Sequence, residues 1–258
     1  MTDIDQEIID AYTVIFDGLQ HLGPGDPCVT GQLVEQLQED LPAAARVADF
    51  GCGTGASTLA LAEHLPRARI LALDMNEPFL AQLNAEADAR GLGDRICAVT
   101  GDMGDPPPLD GVTGQFDLVW SESAIYSIGR SNALSCWHPL LKPGGWLVFS
   151  EIVWNSDADD RNKKVAEFWE TEYPDITTTD AVLDELTSAG YITTDPVLAT
   201  RKSWASYYEP LRKRLNVLSK REDRSPALVE VMTELEKEIE IYDSAGDEVA
   251  VAFFIAKF

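Results

Sequence analysis

The stretch Val47-Ala-Asp-Phe-Gly-Cys-Gly-Thr-Gly55 constrains the fold more than any other part of the chain. A short apolar run enters a turn in which Gly51, Gly53 and Gly55 alternate with other residues, and a helical pattern follows at about 56–65. Glycines at this spacing permit a tight turn and remove the Cβ atoms that would hold a ligand away from the backbone. The helix behind the turn points its amide dipoles at the same spot. Strand, glycine turn and helix in this order belong to an open α/β sheet that binds its ligand at the carboxyl ends of the strands.

The neighbouring sequence repeats the alternation. Apolar runs at 46–50, 70–74, 96–100, 116–121 and 146–152 read as buried strands, with helical stretches at about 56–65, 77–90 and 131–137 between them. The second helix is well marked, with Asn76 as cap, Pro78 in the first turn and Gly91 at the stop. The alternation predicts a Rossmann-like, doubly wound, mostly parallel sheet with helices on both faces. Ahead of it, Ile4, Ile8, Tyr12, Ile15, Phe16 and Leu19 share one helical face over 4–19. A Gly/Pro-rich break at 21–27 follows, then a second helix from an N-cap at Thr30 to Pro42. Beyond the sheet core the sequence predicts a helix at 179–189, a strand at 192–199, helices at 204–219 and 225–243, and a last strand at 248–257.

Three acids mark the ends of three successive strands. Gly51, Gly53 and Ala56 formally fit a dinucleotide fingerprint, and Asp74, 21 residues beyond Gly53, suits a ribose hydroxyl under any nucleotide reading. Asp49 separates the readings. A carboxylate there would repel the pyrophosphate of NAD, whereas the ammonium and sulfonium of S-adenosylmethionine welcome one. Asp102, after the third strand, can accept from an adenine amino group while Met103 packs on the ring; taken alone, it reads equally as a turn residue.

Asp49-x-Gly51-x-Gly53-x-Gly55, Asp74, Gly101-Asp102, Phe116-Asp117-Leu-Val and Leu141-Lys-Pro-Gly-Gly-Trp-Leu together resemble the ordered motifs of class I S-adenosylmethionine-dependent methyltransferases. The resemblance covers about 45–155. It implies a seven-stranded sheet whose last strand is antiparallel, and S-adenosylmethionine as cofactor. It further implies that the turn Asp49, Gly51, Cys52, Gly53 holds the methionine moiety, Asp74 the ribose, Met75 one adenine face and Asp102 the adenine amino group; Met103 and Ser121 join this cofactor set by their positions after the third strand and at the end of the fourth. Trp120-Ser-Glu-Ser-Ala-Ile-Tyr126 and Gly25-Asp-Pro27 also resemble a bacterial subgroup of small-molecule methyltransferases. One domain over 1–258 is expected: an N-terminal helical cap at 1–44, a cofactor-binding core at 45–155, and substrate-side helices with the last two strands at 156–258.

Methyl transfer is an in-line displacement at an already activated carbon, so the protein supplies alignment, water exclusion and, for some acceptors, removal of a proton. The acceptor is expected over the carboxyl ends of the first, fourth and fifth strands, where Ser121, Glu122, Tyr126 and Glu151 stand. Glu122 is the candidate base or anchor of a cationic acceptor, and Tyr126 the candidate orienting group; their alternatives are a loop acid and a wall residue. The Asn-Pro-Pro-Tyr type of clamp for planar amines is absent after the fourth strand, which counts against nucleic-acid N-methylation. His64 and His138 read as structural, while His21 lies in the segment that could fold over the site. Trp154, Trp169, Trp204, Tyr207 and Tyr208 suit either core packing or a pocket for an aromatic or quaternary-ammonium acceptor. The cluster Arg212, Lys213, Arg214, Lys220 and Arg221 reads as a solvated helix face.

Charge excludes other classes. Forty-four acids against twenty bases give a formal net charge of −24, which repels nucleic-acid backbones and anionic membranes. That balance suits an ordinary acidic enzyme or one adapted to high salt. Cys28, Cys52, Cys97 and Cys136 have no metal-ligand spacing, so reduced thiols and no metal are expected. The acidic N-terminus is unlike a secretory signal, and the longest apolar runs are too short to span a bilayer. A cytoplasmic monomer or homodimer follows as the expectation. The remaining alternatives are a non-catalytic S-adenosylmethionine-binding protein and an NAD-dependent oxidoreductase.

Overall fold

A computed structural model describes residues 3–25, 27–107, 116–199, 201–245 and 247–258. Its frame is a sheet in the order β3-β2-β1-β4-β5-β9-β7, in which two-residue strands β6 and β8 pair off the path with β5 and β9. The strands are β1 (Arg46–Phe50), β2 (Arg69–Asp74), β3 (Ile96–Thr100), β4 (Phe116–Ser121), β5 (Leu141–Trp154), β6 (Thr177–Thr178), β7 (Ile192–Thr193), β8 (Val197–Leu198) and β9 (Val249–Lys257). β1 through β5 pair in parallel, and β9 runs antiparallel beside β5 from Trp146↔Lys257 to Trp154↔Val249.

Alternation along each central strand builds two cores. Val47, Leu118, Trp120, Val148, Phe253 and Ile255 face one side. Their chain neighbours Ala48, Val119, Leu147, Phe149 and Phe254 face the other. A strand buried on both faces must be apolar throughout, which is why these segments read as continuous hydrophobic runs. Helices cover both sides: α1 (Asp3–Phe16), α2 (Pro27–Leu37), α3 (Ala56–His64), α4 (Glu77–Ala89), α5 (Arg130–Trp137), α6 (Lys163–Glu172), α7 (Thr179–Ser188), α8 (Arg201–Leu218) and α9 (Pro226–Ala245). None of the described helices is long and apolar enough to cross a membrane.

Several expectations need correction. α2 begins at Pro27, not Thr30; proline is favoured in a first turn because its missing N–H is unneeded there. Thr30 is thus a buried helix residue whose hydroxyl donates to Glu122 at 2.9 Å. The strand expected at 192–199 is two short pieces, β7 and β8, on either side of Pro196, which cannot donate to a ladder. α6 is an addition to the expected elements: Val165, Phe168 and Trp169 bury one narrow face of an otherwise polar segment, and Asn162 accepts from Lys164 N at 2.9 Å to start it.

The geometry of the frame depends on a few polar ties. Asp117 accepts from Arg46 N at 2.8 Å and Lys142 Nζ at 2.7 Å, joining the starts of β1, β4 and β5 at the end of the sheet away from the glycine turn. Asn76 caps α4 by accepting from Phe79 N at 3.2 Å, and its amide donates to Thr13 on α1 at 2.6 Å.

Candidate active site

β1 delivers the chain into the glycine turn with φ of 72° at Gly51, 53° at Gly53 and 91° at Gly55, values that side-chain-bearing residues rarely adopt. The N–H groups of Gly51 and Cys52 donate to Leu73 O at 2.9 and 3.1 Å, holding the turn against the end of β2. Close packing adds a second reason for glycine. A Cβ on Gly51 would collide with Ala124, and one on Gly53 would meet Leu22 Cδ1 at 2.5 Å. Gly53 N donates to Asp74 Oδ2 at 2.8 Å and Asn76 N to Asp74 Oδ1 at 2.8 Å. Burial raises the Asp74 carboxyl while these N–H bonds lower it.

The turn opens on a cavity of about 620 Å3 at the carboxyl edge of the sheet. Gly51, Cys52, Gly53, Asp74, Met75, Asp102 and Met103 line one end of it. Met75 is 54% exposed and lies along this wall. Asp102 lines the wall and also accepts from Gly104 N at 2.7 Å, so the turn role coexists with an open carboxylate. Met103 O accepts from Trp137 Nε1 at 2.8 Å, which pins the loop after β3.

Two residues of the expected cofactor set stand behind the wall. Asp49 is 1% exposed and accepts from Thr58 Oγ1 at 2.5 Å. Burial pushes its carboxyl up to about 7 against that bond, with Glu122 and Asp74 adding to the rise. Ser121 is fully buried, and its hydroxyl has no partner among the described residues.

Glu122 and Tyr126 both reach the cavity. Glu122 Oε2 accepts from Thr30 Oγ1 at 2.9 Å and Ser57 Oγ at 2.8 Å. Two hydroxyl donors hold it as a fixed acceptor where α2, α3 and the end of β4 converge. Tyr126 is 51% exposed, and that surface lies on the cavity. Desolvation along the cavity wall raises its phenol above the ordinary 10, with Tyr12, Glu238, Glu151 and Asp74 adding to the rise. It is therefore a protonated donor at neutral pH rather than a base.

Ser123 is the one non-glycine residue with positive φ among those described, at 55°. Its N–H donates to Ser150 Oγ at 2.7 Å and its hydroxyl to Pro24 O at 3.1 Å. Strain of this kind persists only where surroundings over-determine it. Here it ties β4, β5 and the segment 20–25 together over the cavity. His21 lines that cover. His64 and His138 lie elsewhere: His64 ends α3 beside Glu35, and His138 packs edge-on against Tyr191 and Phe258.

Trp169, Trp204 and Tyr207 line the far end of the cavity, whereas Trp154 and Tyr208 do not. Glu151, Glu172 and Glu238 line it too. The last two went unnoticed in the sequence because their only signal is a helical position among many surface acids. Among the described residues no His/Cys/Asp/Glu group suited to a metal occurs, and all four cysteines are free thiols.

Residues 47–145 match a family described as a methyltransferase domain. The malonyl-[acyl-carrier protein] O-methyltransferase of Herminiimonas arsenicoxydans is 28% identical over 194 residues, covering 71% of this chain and 66% of that one. The trans-aconitate 2-methyltransferase of Streptomyces avermitilis is 34% identical over 115 residues, covering 44% and 41%. The alignments thus span less than two thirds of either relative. Among solved structures, a SAM-dependent methyltransferase from Thiobacillus denitrificans in complex with S-adenosyl-L-homocysteine has a TM-score of 0.78 at 21% identity, covering 95% of this chain and 96% of that one. A counterpart from Geobacter sulfurreducens, also in complex with S-adenosyl-L-homocysteine, has a TM-score of 0.78 at 20% identity, over 96% and 97%. The fold is shared along nearly the whole chain.

Proposed function

We propose, for a chain whose residues 47–145 carry a domain of the methyltransferase family, that it transfers a methyl group from S-adenosylmethionine to a small-molecule acceptor and releases S-adenosylhomocysteine. The observation that carries this reading is the single cavity wall joining the glycine turn, Asp74, Met75 and Asp102 to Glu122 and Tyr126. The donor set fits the cofactor. In this reading Asp74 takes the ribose hydroxyls, Met75 and Met103 the two sides of a flat ring, and Asp102 its amino group. Gly51, Cys52 and Gly53 present backbone to the methionine end. Asp49 acts from behind the turn as the acceptor that ties β1 to Thr58 on α3, and Ser121 supports the floor.

When bound, S-adenosylmethionine supplies an electrophilic methyl on a cationic sulfur. The chain's own contribution is alignment and exclusion of water. Segment 20–25 covers the cavity and Ser123 holds the cover to the sheet. Tyr126 donates a hydrogen bond that orients the acceptor, and Glu122 accepts from it. No clamp for a planar nucleobase amine follows β4, and the −24 charge disfavours nucleic acid. We read the chain as one domain acting in the cytoplasm, as a monomer or homodimer, without a metal. The test is a metabolite extract incubated with the protein and S-adenosylmethionine, scored by S-adenosylhomocysteine release and by mass identification of the methylated product. One methylated compound formed in step with S-adenosylhomocysteine is the expected result. Bound cofactor with no turnover in any extract favours a silent binding protein.

A further inference from the structure

The cavity continues beyond the cofactor end into a region built by β5, α6, α8 and α9. Its walls are aromatic: Trp169, Tyr173, Trp204 and Tyr207, with Tyr126 meeting Tyr173 edge-on at 6.3 Å. Three carboxylates enter it, Glu151 from β5, Glu172 from α6 and Glu238 from α9. Among the described residues no lysine or arginine lines any part of the cavity.

Glu172 is exposed and meets Lys237 Nζ at 3.7 Å, whereas Glu151 and Glu238 are not simply solvated surface charge. Glu151 is 2% exposed, and its Oε1 is buried with no hydrogen-bond partner among the described residues. Its other oxygen meets Arg130 Nη1 at 3.4 Å from behind the wall. That guanidinium is shared with Tyr173 Oη at 3.0 Å, Asp175 O at 2.9 Å and Glu185 at 2.9 Å. Glu238 Oε1 accepts from Tyr208 Oη at 2.7 Å. Burial pushes both Glu151 and Glu238 up to about 7. An apolar, aromatic chamber that leaves Glu151 Oε1 without a hydrogen-bond partner among the described residues, and Glu238 bonded only to a tyrosine hydroxyl, carries a desolvation cost. A cation seated between those rings and carboxylates removes that cost, by ion pairing and by attraction to the ring faces.

We propose that the acceptor is a cationic or protonatable amine, held in the aromatic chamber by Glu151 and Glu238 with Trp169, Trp204 and Tyr207 around it. This rests on the methyltransferase reading above and narrows it. An acceptor whose binding groups are carboxylates, such as the compound named in the trans-aconitate 2-methyltransferases, meets Glu151 and Glu238 here and, among the described residues, no lysine or arginine along the cavity. For an acceptor with a transferable proton, a glutamate carboxylate first takes a proton from the ammonium. The freed nitrogen lone pair then forms the N–C bond as the S–C bond of S-adenosylmethionine breaks, leaving neutral S-adenosylhomocysteine and a methylated ammonium.

The test uses the full chain saturated with S-adenosylhomocysteine, titrated calorimetrically with choline, with its neutral isostere 3,3-dimethylbutan-1-ol, and with trans-aconitate. Choline should bind at least tenfold more tightly than the isostere, and trans-aconitate should not bind. Glu238→Gln and Glu151→Gln should each lower choline affinity tenfold or more while S-adenosylhomocysteine affinity stays within twofold. Equal binding of choline and its isostere, no choline binding up to about 10 mM, or tighter binding of trans-aconitate overturns the amine assignment alone. Failure of S-adenosylhomocysteine itself to bind in the first titration overturns the cofactor reading and this one with it.

Discussion

The backbone N–H of Gly53 donates to Asp74 Oδ2 at 2.8 Å, joining the glycine turn after β1 to the acid that ends β2. The same carboxylate accepts from Asn76 N at 2.8 Å, the cap of α4. One side chain therefore fixes the turn, starts a helix and still faces the cavity. Asp74→Asn keeps the shape and one acceptor oxygen but loses the charge. The variant should melt within a few degrees of the parent, and its affinity for S-adenosylmethionine should fall about tenfold, roughly the 1.4 kcal/mol of one charge-assisted hydrogen bond. Melting curves and calorimetry on the same preparation check both halves.

Glu122 and Tyr126 should separate cofactor binding from turnover. Glu122→Gln retains an oxygen that can accept from Thr30 and Ser57, and Tyr126→Phe retains the ring. Both variants should bind S-adenosylmethionine nearly as the parent does. Turnover with the acceptor found in the extract screen should drop on the order of 10²-fold where proton handling is lost, and less where only orientation is. Full activity in both places the acceptor's contacts elsewhere in the chamber.

Much of this was legible in the sequence, and the reason is local. Buried parallel strands must be apolar on both faces, so β1 to β5 announce themselves as short hydrophobic runs. Asn76, Pro78 and the glycines at the turn act within a few residues of where they stand. The chamber is different in kind. Trp169, Trp204, Tyr207, Glu172 and Glu238 sit on three helices and meet only when those helices pack. On a chain with 44 acids, nothing local separates Glu238 from its surface neighbours. Asp49 was legible as an acid at the turn, yet its burial behind Thr58 depends on how α3 packs on β1.

Glu238 also makes stability depend on pH. Burial raises its carboxyl from the ordinary 4.5 to about 7, with repulsion from Glu172 in the same direction and the Tyr208 hydroxyl opposing. The folded state thus keeps a proton that the unfolded chain releases at lower pH. Its stabilising contribution is complete below the unfolded value and is lost as pH rises through about 7. Glu238→Gln cannot ionise, so the unliganded variant should melt higher than the parent at pH 8 and close to it at pH 5. An equal shift at both pH values contradicts the assignment.

Net charge acts over longer distances. At −24, like charges repel across the whole surface of the folded chain, and added salt screens that repulsion over about 10 Å at 0.1 M ionic strength. Melting temperature should rise by several degrees from dilute buffer towards molar sodium chloride. A flat profile assigns the charge no stabilising response to salt.

The central claim is that the cavity at the glycine turn takes S-adenosylmethionine rather than a dinucleotide. Calorimetric titration of the intact chain with S-adenosylhomocysteine and, separately, with NAD tests it most directly. The account predicts saturable one-to-one binding of S-adenosylhomocysteine and none of NAD. Ligand at 100 times its Kd should add about 2.7 kcal/mol of stability, a response that shrinks in Asp74→Asn. Binding of NAD as tight as or tighter than that of S-adenosylhomocysteine would contradict it.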